Sequence, residues 1–304
     1  MNKAVIDIGS NSIQLLVARV DHQQLIELVR EQRVTGLGRK LDQNGFFLPE
    51  AMEETLQALH EFSVIAQKHN IAASEINCLA TEASRVASNA QVFFQRVHDE
   101  LALKVQIISG ELEAELSALG VAKSHQFPSD LENIVIMDIG GASTELIQLS
   151  TDDLKIRALA SLKMGSVRYN GWLQSKNETF AQQCLESALR QTDIKQFITP
   201  HLYCVAGTMT SVANMIQNNQ TFDEDKIDNF QFQRDDFLEL GQQQQSWKPA
   251  DYLQSFPFLG KRAHVMAGGM AVAHFLFDHL QVQTITVSTK GLMHGFLIKG
   301  TPSF

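Results

Sequence analysis

The chain is poor in features that would assign it to several common classes. It has three cysteines in 304 residues, Cys78, Cys184 and Cys204, scattered and odd in number. That excludes a disulfide framework and a cysteine-built metal site, and it suits small buried side chains in a reducing compartment. There is no surplus of positive charge: 25 lysines and arginines stand against 34 aspartates and glutamates, a formal net charge of −9. General nucleic-acid binding, which relies on an extended basic surface, is therefore not expected. A local backbone nest with a divalent cation can still hold phosphates on an acidic protein. The most apolar helical stretch, Met266 to Leu280, is too short for a bilayer and carries His274 and Asp278, so no membrane partner is expected. Met1-Asn2-Lys3 runs straight into an apolar strand without an export signal, which makes the cytoplasm the expected location. The ten histidines show no ligand spacing, and no transition-metal site is expected. What remains is 44% hydrophobic and 19% charged, a globular composition with core enough for two domains.

Two copies of Asp-Ile-Gly stand out against this background: Asp7-Ile8-Gly9-Ser10-Asn11-Ser12 and Asp138-Ile139-Gly140-Gly141-Ala142-Ser143-Thr144. Each follows one apolar run and precedes another, the pattern of a strand, a tight glycine turn and a returning strand. Glycine permits the positive φ with which successive N–H groups converge into an anion-binding nest. The aspartate ending each incoming strand, Asp7 or Asp138, can hold a divalent cation. One copy would be ordinary hairpin chemistry; two copies suggest a duplicated phosphate-binding fold.

The order of elements repeats as well. Strands Ala4–Ile8, Ile13–Val20 and Leu25–Arg33 lead through the turn-rich segment Gly36-Leu37-Gly38-Arg39-Lys40 into a helix from Pro49 to His69. Strand Ile76–Ala80 then feeds a helix from Glu82 to about Arg96, and strand Val105–Ser109 feeds one from Glu111 to Ala122. The series restarts at Asn133, with strands to Lys155–Leu162, helices, strand Leu202–Ala206 and a helix. The polar region Gln217 to Pro249 reads as helix plus surface loop. It is followed by helix Arg262 to Leu280, strand Val282–Val287 and a last helix opened by Ser288-Thr289-Lys290-Gly291. A three-strand meander followed by strand–helix units, twice over, is the α/β layout of the actin-like, ribonuclease-H-like (ASKHA) superfold. Each lobe of that fold contributes one glycine turn to a central phosphate-binding cleft. The expected lobes are residues 1–124 and 125–304, joined near His125-Gln126-Phe127-Pro128-Ser129, with the last helix free to pack back on the first lobe.

Four further groups could carry chemistry. Thr81, Arg85 and Asn89 stand at four-residue spacing and would share one face of a helix, with Thr81 adding the anion site of a helix N-terminus. A capped helix with a surface arginine explains them equally well. Glu111, Glu113 and Glu115 open a helix, where the dipole alone favours them; Glu111 and Glu115 share a face and Glu113 points elsewhere. Glu145, on the strand returning from the second turn, would project beside any phosphate held there, or else is an outward polar residue. Gly207 and Thr208 in Ala206-Gly207-Thr208-Met209-Thr210, the stretch Lys163 to Arg168, and Lys290-Gly291 are glycine turns with hydroxyl or basic neighbours, each individually routine.

These motifs together resemble the exopolyphosphatase / guanosine pentaphosphate phosphatase (Ppx/GppA) family in a short two-domain form. The anchors are D-I-G-S-N-S at Asp7–Ser12, A-T-x-A-x-R-x-A-x-N at Ala80–Asn89, I-S-G-x-x-E-A at Ile108–Ala114 and D-I-G-G-x-S-T-E-L at Asp138–Leu146. They continue with M-G-S-V-R at Met164–Arg168, A-G-G at Ala267–Gly269 and V-S-x-x-G-L at Val287–Leu292. The resemblance implies Mg²⁺-dependent hydrolysis of a terminal phosphoanhydride in inorganic polyphosphate or in guanosine pentaphosphate, with Mn²⁺ an open alternative metal. Glu113 matches the family's catalytic glutamate and would activate the attacking water; Glu145 matches a second acidic residue beside the site. Asp7 and Asp138, with Glu145, would organise the metal. Gly9, Ser10, Asn11, Ser12, Gly140, Gly141, Ala142, Ser143 and Thr144, with Thr81, Arg85, Gly207 and Thr208, would hold the phosphates. Family habit makes a homodimer the oligomeric state to test.

The departures are specific. Ala142 replaces the usual third glycine of the second turn and is strained only if its φ is positive. Cys204 and Ala206 replace glycines of a loop that often reads G-T-G-G-T. Gln14 stands where a basic residue is common, and Glu82 where a small one is. The leading expectation is an exopolyphosphatase. A guanosine pentaphosphatase, an actin-fold kinase and a non-hydrolytic sensor are the alternatives; Glu113, Asp7 and Asp138 weigh against the sensor.

Overall fold

The computed structural model describes residues 1–21, 24–127, 131–175 and 178–300, so the expected linker residues Pro128 and Ser129 lie outside the described part. Two compact units emerge: Met1–Gly120 with Leu292–Phe304, and Val121–Gly291.

In the first unit β1 (Asn2–Ile8), β2 (Ser12–Asp21) and β3 (Gln24–Val34) form the antiparallel meander. They are followed by α1 (Leu41–Asn44), α2 (Pro49–Lys68), β4 (Asn77–Ala80), α3 (Glu82–Val86), α4 (Ala90–Leu101) and β5 (Lys104–Ile107). The sheet order is β3-β2-β1-β4-β5, with β4 and β5 parallel to β1. β1 lies at the centre, and its middle, Ala4-Val5-Ile6, is apolar and fully buried because both of its faces are covered there. Ala4, Ile6 and Ile8 face a core built with Leu59 and Phe62 of α2 and Phe93 and Val97 of α4. Val5 faces the opposite core, with Leu116 of α5 (Gly110–Ser124) and residues from the end of the chain. The boundary between the units falls within α5.

The second unit repeats the plan. β6 (Asn133–Ile139), β7 (Thr144–Ser150) and β8 (Ile156–Leu162) form its meander, followed by α6 (Ser166–Ser175), α7 (Glu178–Arg190), β9 (His201–Val205) and α8 (Ala206–Ile216). Then come α9 (Glu224–Ile227), β10 (Gln231–Gln233), α10 (Arg234–Gln243), α11 (Pro249–Ser255), α12 (Ala263–Leu280) and β11 (Thr284–Val287). The order β10-β11-β9-β6-β7-β8 repeats that of the first sheet and adds β10 as an antiparallel edge. α13 (Leu292–Lys299) returns to the first unit, where Leu292, Met293, Phe296 and Leu297 pack with Val5, Leu16, Ala18 and Leu79. This is the α/β, actin-like plan expected from the element order, built twice.

Two expectations fail. The helix expected from Glu82 to about Arg96 is two helices, broken where Ala87 turns extended (ψ 123°). Asn89 therefore does not share a helical face with Thr81 and Arg85. Its side chain is bound to the backbone of Phe47 instead, accepting from the amide (2.8 Å) and donating to the carbonyl (3.0 Å). The stretch from Gln217 to Pro249, read as helix plus loop, also contains β10, whose Gln-Phe-Gln buries only Phe232 and gives almost no periodic signal. Among the described residues no helix is long and apolar enough to cross a membrane.

Candidate active site

The two glycine turns are built alike. Gly9 N–H donates to the Ser12 carbonyl (3.1 Å) and Gly140 N–H to the Ser143 carbonyl (3.0 Å). A side chain on either glycine would place its Cβ 3.1 Å from that same carbonyl oxygen. Glycine is favoured here by a tight approach, not by handedness: Gly9, Gly140 and Gly141 are absent from the positive-φ residues, which corrects the expectation of a left-handed nest. Ala142 is likewise outside that region and carries no strain.

A neighbouring loop takes up the carbonyls of each turn. Gly36 N–H donates to Asn11 O (2.9 Å) and Gly38 N–H to Ser10 O (2.7 Å). In the second unit Ser166 N–H donates to Gly140 O (3.0 Å), and Val167 and Arg168 N–H donate to Gly141 O (2.8 and 3.1 Å). The Arg168 guanidinium holds the Ala142 carbonyl. The amides are left over: among the described residues the N–H groups of Ser10, Asn11, Gly141, Ala142 and Ser143 donate to no protein acceptor. Each turn therefore presents donors and hides acceptors, the polarity an anion needs. The Gly36–Gly38 loop was legible in the sequence only as turn-rich; its glycines and its place after the third strand were the signal.

Hydroxyls add to this. Ser10 (5% exposed) and Thr81 (7%) in the first unit, and Ser143 (3%) and Thr208 (6%) in the second, are nearly buried. Among the described residues none of these four side chains has a hydrogen-bond partner. None of the four is among the fully buried unsatisfied atoms, so each hydroxyl oxygen still reaches solvent and stays available to a bound oxyanion. Ser12 is already engaged, accepting from Gln32 Nε2 (2.9 Å), and Thr144 is fully buried and donates to the Met164 carbonyl (2.7 Å). Thr144 thus spends its proton on the fold, whereas Ser12 accepts and its own O–H is not spent on Gln32. Thr81 precedes a helix of only five residues, so the expected helix N-terminal anion site is not built there.

Gly207 and Thr208 open α8, where Arg262 donates to Gly207 O (3.0 Å) and to Ser211 Oγ (3.2 Å). Arg262 had no motif to mark it. Ala206, the residue before Gly207, has φ of 67°, a left-handed conformation in which a methyl is strained. Cys204 is fully buried at the end of β9; burial, with Asp138 adding to it, pushes its thiol well above the usual range.

Glu113 projects from the first turn of α5 with its side chain 12% exposed. Arg85 Nη1 donates to Glu113 Oε2 (3.0 Å) and to the Ile108 carbonyl (2.7 Å), while Nε donates to Glu82 Oε2 (3.1 Å). Burial opposes the guanidinium's charge, but Glu113 and Glu82 outweigh it and leave Arg85 above its ordinary value. The other glutamates of the cluster sit apart: Glu115 pairs with Lys299 (2.8 Å), and Glu111 is fully exposed, held below the usual range by its own backbone N–H and the Ser109 hydroxyl.

For the metal, Asp138 and Glu145 are directly opposed across β6 and β7, so their carboxylates leave the same face of the sheet. Glu145 is 1% exposed and accepts from Ser161 Oγ (2.8 Å). Two directly opposed carboxylates repel, and a cation relieves the repulsion. The equivalent pair in the first unit is Asp7 and Gln14, one carboxylate and one amide. Among the described residues no three His, Cys, Asp or Glu side chains gather into a metal cage. Mg²⁺ fits this donor set, because it is commonly held by one or two carboxylates with substrate phosphates and water.

A duplicated actin-like fold whose turns bare amides and hydroxyls and whose acids stand paired with an arginine or with each other defines a protein built to handle phosphate. The chain belongs to the Ppx/GppA phosphatase family, whose model matches residues 16–304. Over 98% of its length it is 30% identical to a bifunctional 3-dehydroquinate synthase/phosphatase of Fusobacterium nucleatum, and it spans 46% of that longer protein. Over 97% of its length it is 29% identical to exopolyphosphatase 2 of Mycobacterium tuberculosis, of which it covers 97%. The solved structure of the Aquifex aeolicus Ppx/GppA enzyme is 25% identical with a TM-score of 0.78, over 99% of each chain. The chain is thus a hydrolase acting on phosphoanhydride bonds.

Proposed function

We propose that the chain is an exopolyphosphatase: with Mg²⁺, or Mn²⁺ on the same oxygen donors, it hydrolyses terminal phosphoanhydride bonds of inorganic polyphosphate and releases orthophosphate. The observation that supports this best is the two turns, in which the carbonyls of Ser10, Asn11, Gly140, Gly141 and Ala142 are taken while the amides of Ser10, Asn11, Gly141, Ala142 and Ser143, with the hydroxyls of Ser10, Thr81, Ser143 and Thr208, are unengaged among the described residues. Anionic oxygens are the ligand that each of these donor sets fits. The name of the Mycobacterium tuberculosis relative supports the same substrate. The buried free thiols of Cys78 and Cys204 support a cytoplasmic setting.

Phosphoryl transfer asks the protein mainly for position and charge. In our reading Glu113 accepts the proton of the attacking water, and Arg85, bonded to its Oε2, fixes the carboxylate for that transfer. The unengaged amides of Ser10 and Asn11 in the first unit, and separately those of Gly141, Ala142 and Ser143 in the second, are suited to stabilise charge on phosphoryl oxygens. Asp138 and Glu145 would hold Mg²⁺, whose chemistry is to neutralise the phosphates; Asp7 is the corresponding carboxylate of the first unit.

Orthophosphate release with Mg²⁺ from medium-chain polyphosphate, guanosine pentaphosphate and ATP, compared side by side, tests the assignment. Polyphosphate should be the preferred substrate, and Glu113→Gln should bind it while losing at least about a hundredfold in turnover. Preference for the nucleotide would transfer the activity to guanosine pentaphosphate. Binding without turnover in the unaltered chain would make it a sensor, and unchanged turnover in Glu113→Gln would remove Glu113 from the mechanism.

A further inference from the structure

Arg85 was expected to grip phosphate, yet the bonds its guanidinium makes to Glu82, Glu113 and the Ile108 carbonyl use all but one Nη2 hydrogen of its five donors. A guanidinium recognises phosphate through a fork of two parallel N–H groups. The side-on fork of Arg85, Nε with Nη2, is occupied by one atom: Glu82 Oε2 lies 3.1 Å from Nε and 3.0 Å from Nη2. Both hydrogens of Nη1 are used as well, on the Ile108 carbonyl and on Glu113 Oε2. The three side chains are only 12–21% exposed, so their attraction is less screened than that of a surface pair. Two carboxylates against one guanidinium give the group a net charge of −1. A phosphate oxygen can take the Nε–Nη2 fork only by displacing Glu82.

We propose that Glu82 is a displaceable internal competitor that sets how strongly this chain holds condensed-phosphate anions at Arg85. This rests on the reading of the site as a polyphosphate site. Glu82 occupies the fork a phosphate would take and leaves the Nη1 edge on Glu113 undisturbed. It thereby restrains affinity for short or single phosphates without loosening the group that positions the base. Entry of a substrate bearing several anionic groups can outweigh the lost ion pair, because its remaining phosphates meet the unengaged amides of Ser10 and Asn11 in the turn of the same unit. A lone orthophosphate lacks that compensation, so Glu82 also favours release of the product.

The test is direct binding of tripolyphosphate and of orthophosphate by calorimetry, without turnover, to the unaltered chain, Glu82→Gln, Glu82→Ala and the double variant Glu82→Ala/Arg85→Ala. Removing the competitor should tighten tripolyphosphate by about tenfold in Glu82→Ala, the size of one charge-assisted contact, and by less in Glu82→Gln, whose amide oxygen can still accept. The KM for polyphosphate and the inhibition constant of orthophosphate should fall together, and the gain should vanish in the double variant. A residue of merely structural importance would weaken binding when removed, so tightening is diagnostic. Equal or weaker binding in both single variants, or a gain that persists without Arg85, overturns the proposal. If the unaltered chain hydrolyses no condensed phosphate, the functional reading fails, and an Arg85-dependent gain in Glu82→Gln would still carry the competitor reading. No binding in any variant removes both.

Discussion

Replacing Ala206 and Ala142 by glycine, one at a time, should move stability in opposite directions. Both alanines stand where family members often carry glycine, and the chemical change is identical. Ala206 has φ of 67° and Ala142 does not lie at positive φ. A left-handed alanine costs about 1–2 kcal/mol, which glycine relieves. Glycine also widens the unfolded ensemble, a loss of about 0.4–1 kcal/mol at either site. The balance at Ala206 is a gain of about 0.5–1 kcal/mol. At Ala142, 7% exposed, there is no strain to relieve, and about 0.8 kcal/mol of buried methyl is lost in addition, so the variant should lose about 1–2 kcal/mol. For a unit of this size those values correspond to a Tm raised by about 1–3 °C for Ala206→Gly and lowered by about 3–6 °C for Ala142→Gly. Scanning calorimetry and urea titration of the two variants against the unaltered chain measure it. A fall in stability for Ala206→Gly, or two shifts of the same sign, would refute the strain argument.

Other expectations concern the donors, the broken helix and the histidines. Ser143→Ala and Thr208→Val should each raise the KM for polyphosphate about fivefold to tenfold with Tm unchanged, because neither hydroxyl has an internal partner among the described residues; a Tm loss at constant KM would assign them to the fold. Asn89→Ala should cost about 1–3 kcal/mol in urea unfolding and leave KM alone, since Asn89 satisfies both backbone groups of Phe47; the reverse outcome would restore its expected place in the phosphate site. Stability should fall as pH drops from about 7 to 5. The sign comes from His125, whose folded pKa is lowered first by burial, against the opposing effects of the Val121 carbonyl and Asp228. Its Nδ1 lies 3.1 Å from Val121 O, while its buried Nε2 has no partner, so protonation would create an unpaired buried N–H. The unfolded chain therefore binds a proton that the folded chain resists as pH falls below about 6.5, and the stability present above that pH is lost. His201, also lowered by burial, has the same sign, so His125→Gln should reduce the slope of Tm against pH without abolishing it. An unchanged slope would exclude His125 as a contributor.

The duplicated turns and the alternation of strands could be read from the sequence because they are local. A strand shows its period within a few residues, and Gly9 and Gly140 are favoured by the close approach of carbonyls three residues further along. The motif order likewise led to Glu113, whose place in the helix alone did not set it apart from Glu111 and Glu115. The four-residue spacing of Thr81, Arg85 and Asn89 misled, because it presumes a continuous helix. Phe47, 42 residues before Asn89, captures that side chain instead.

The sequence by itself determined the two-fold element order, the positions of both turns, and the presence of the acids, hydroxyls and amides here proposed to handle phosphate. Only the tertiary structure decided which of them are open to a ligand. It commits the Thr144 hydroxyl to the Met164 carbonyl, sets Gln32 against Ser12 and, among the described residues, leaves the hydroxyls of Ser10, Thr81, Ser143 and Thr208 without partners. It sets Asp138 against a carboxylate and Asp7 against an amide, strains Ala206 while sparing Ala142, and gives one fork of Arg85 to Glu82. The physical reason is that secondary structure follows from the chain's near neighbours, whereas a donor is free or occupied according to groups the fold brings from far along the chain.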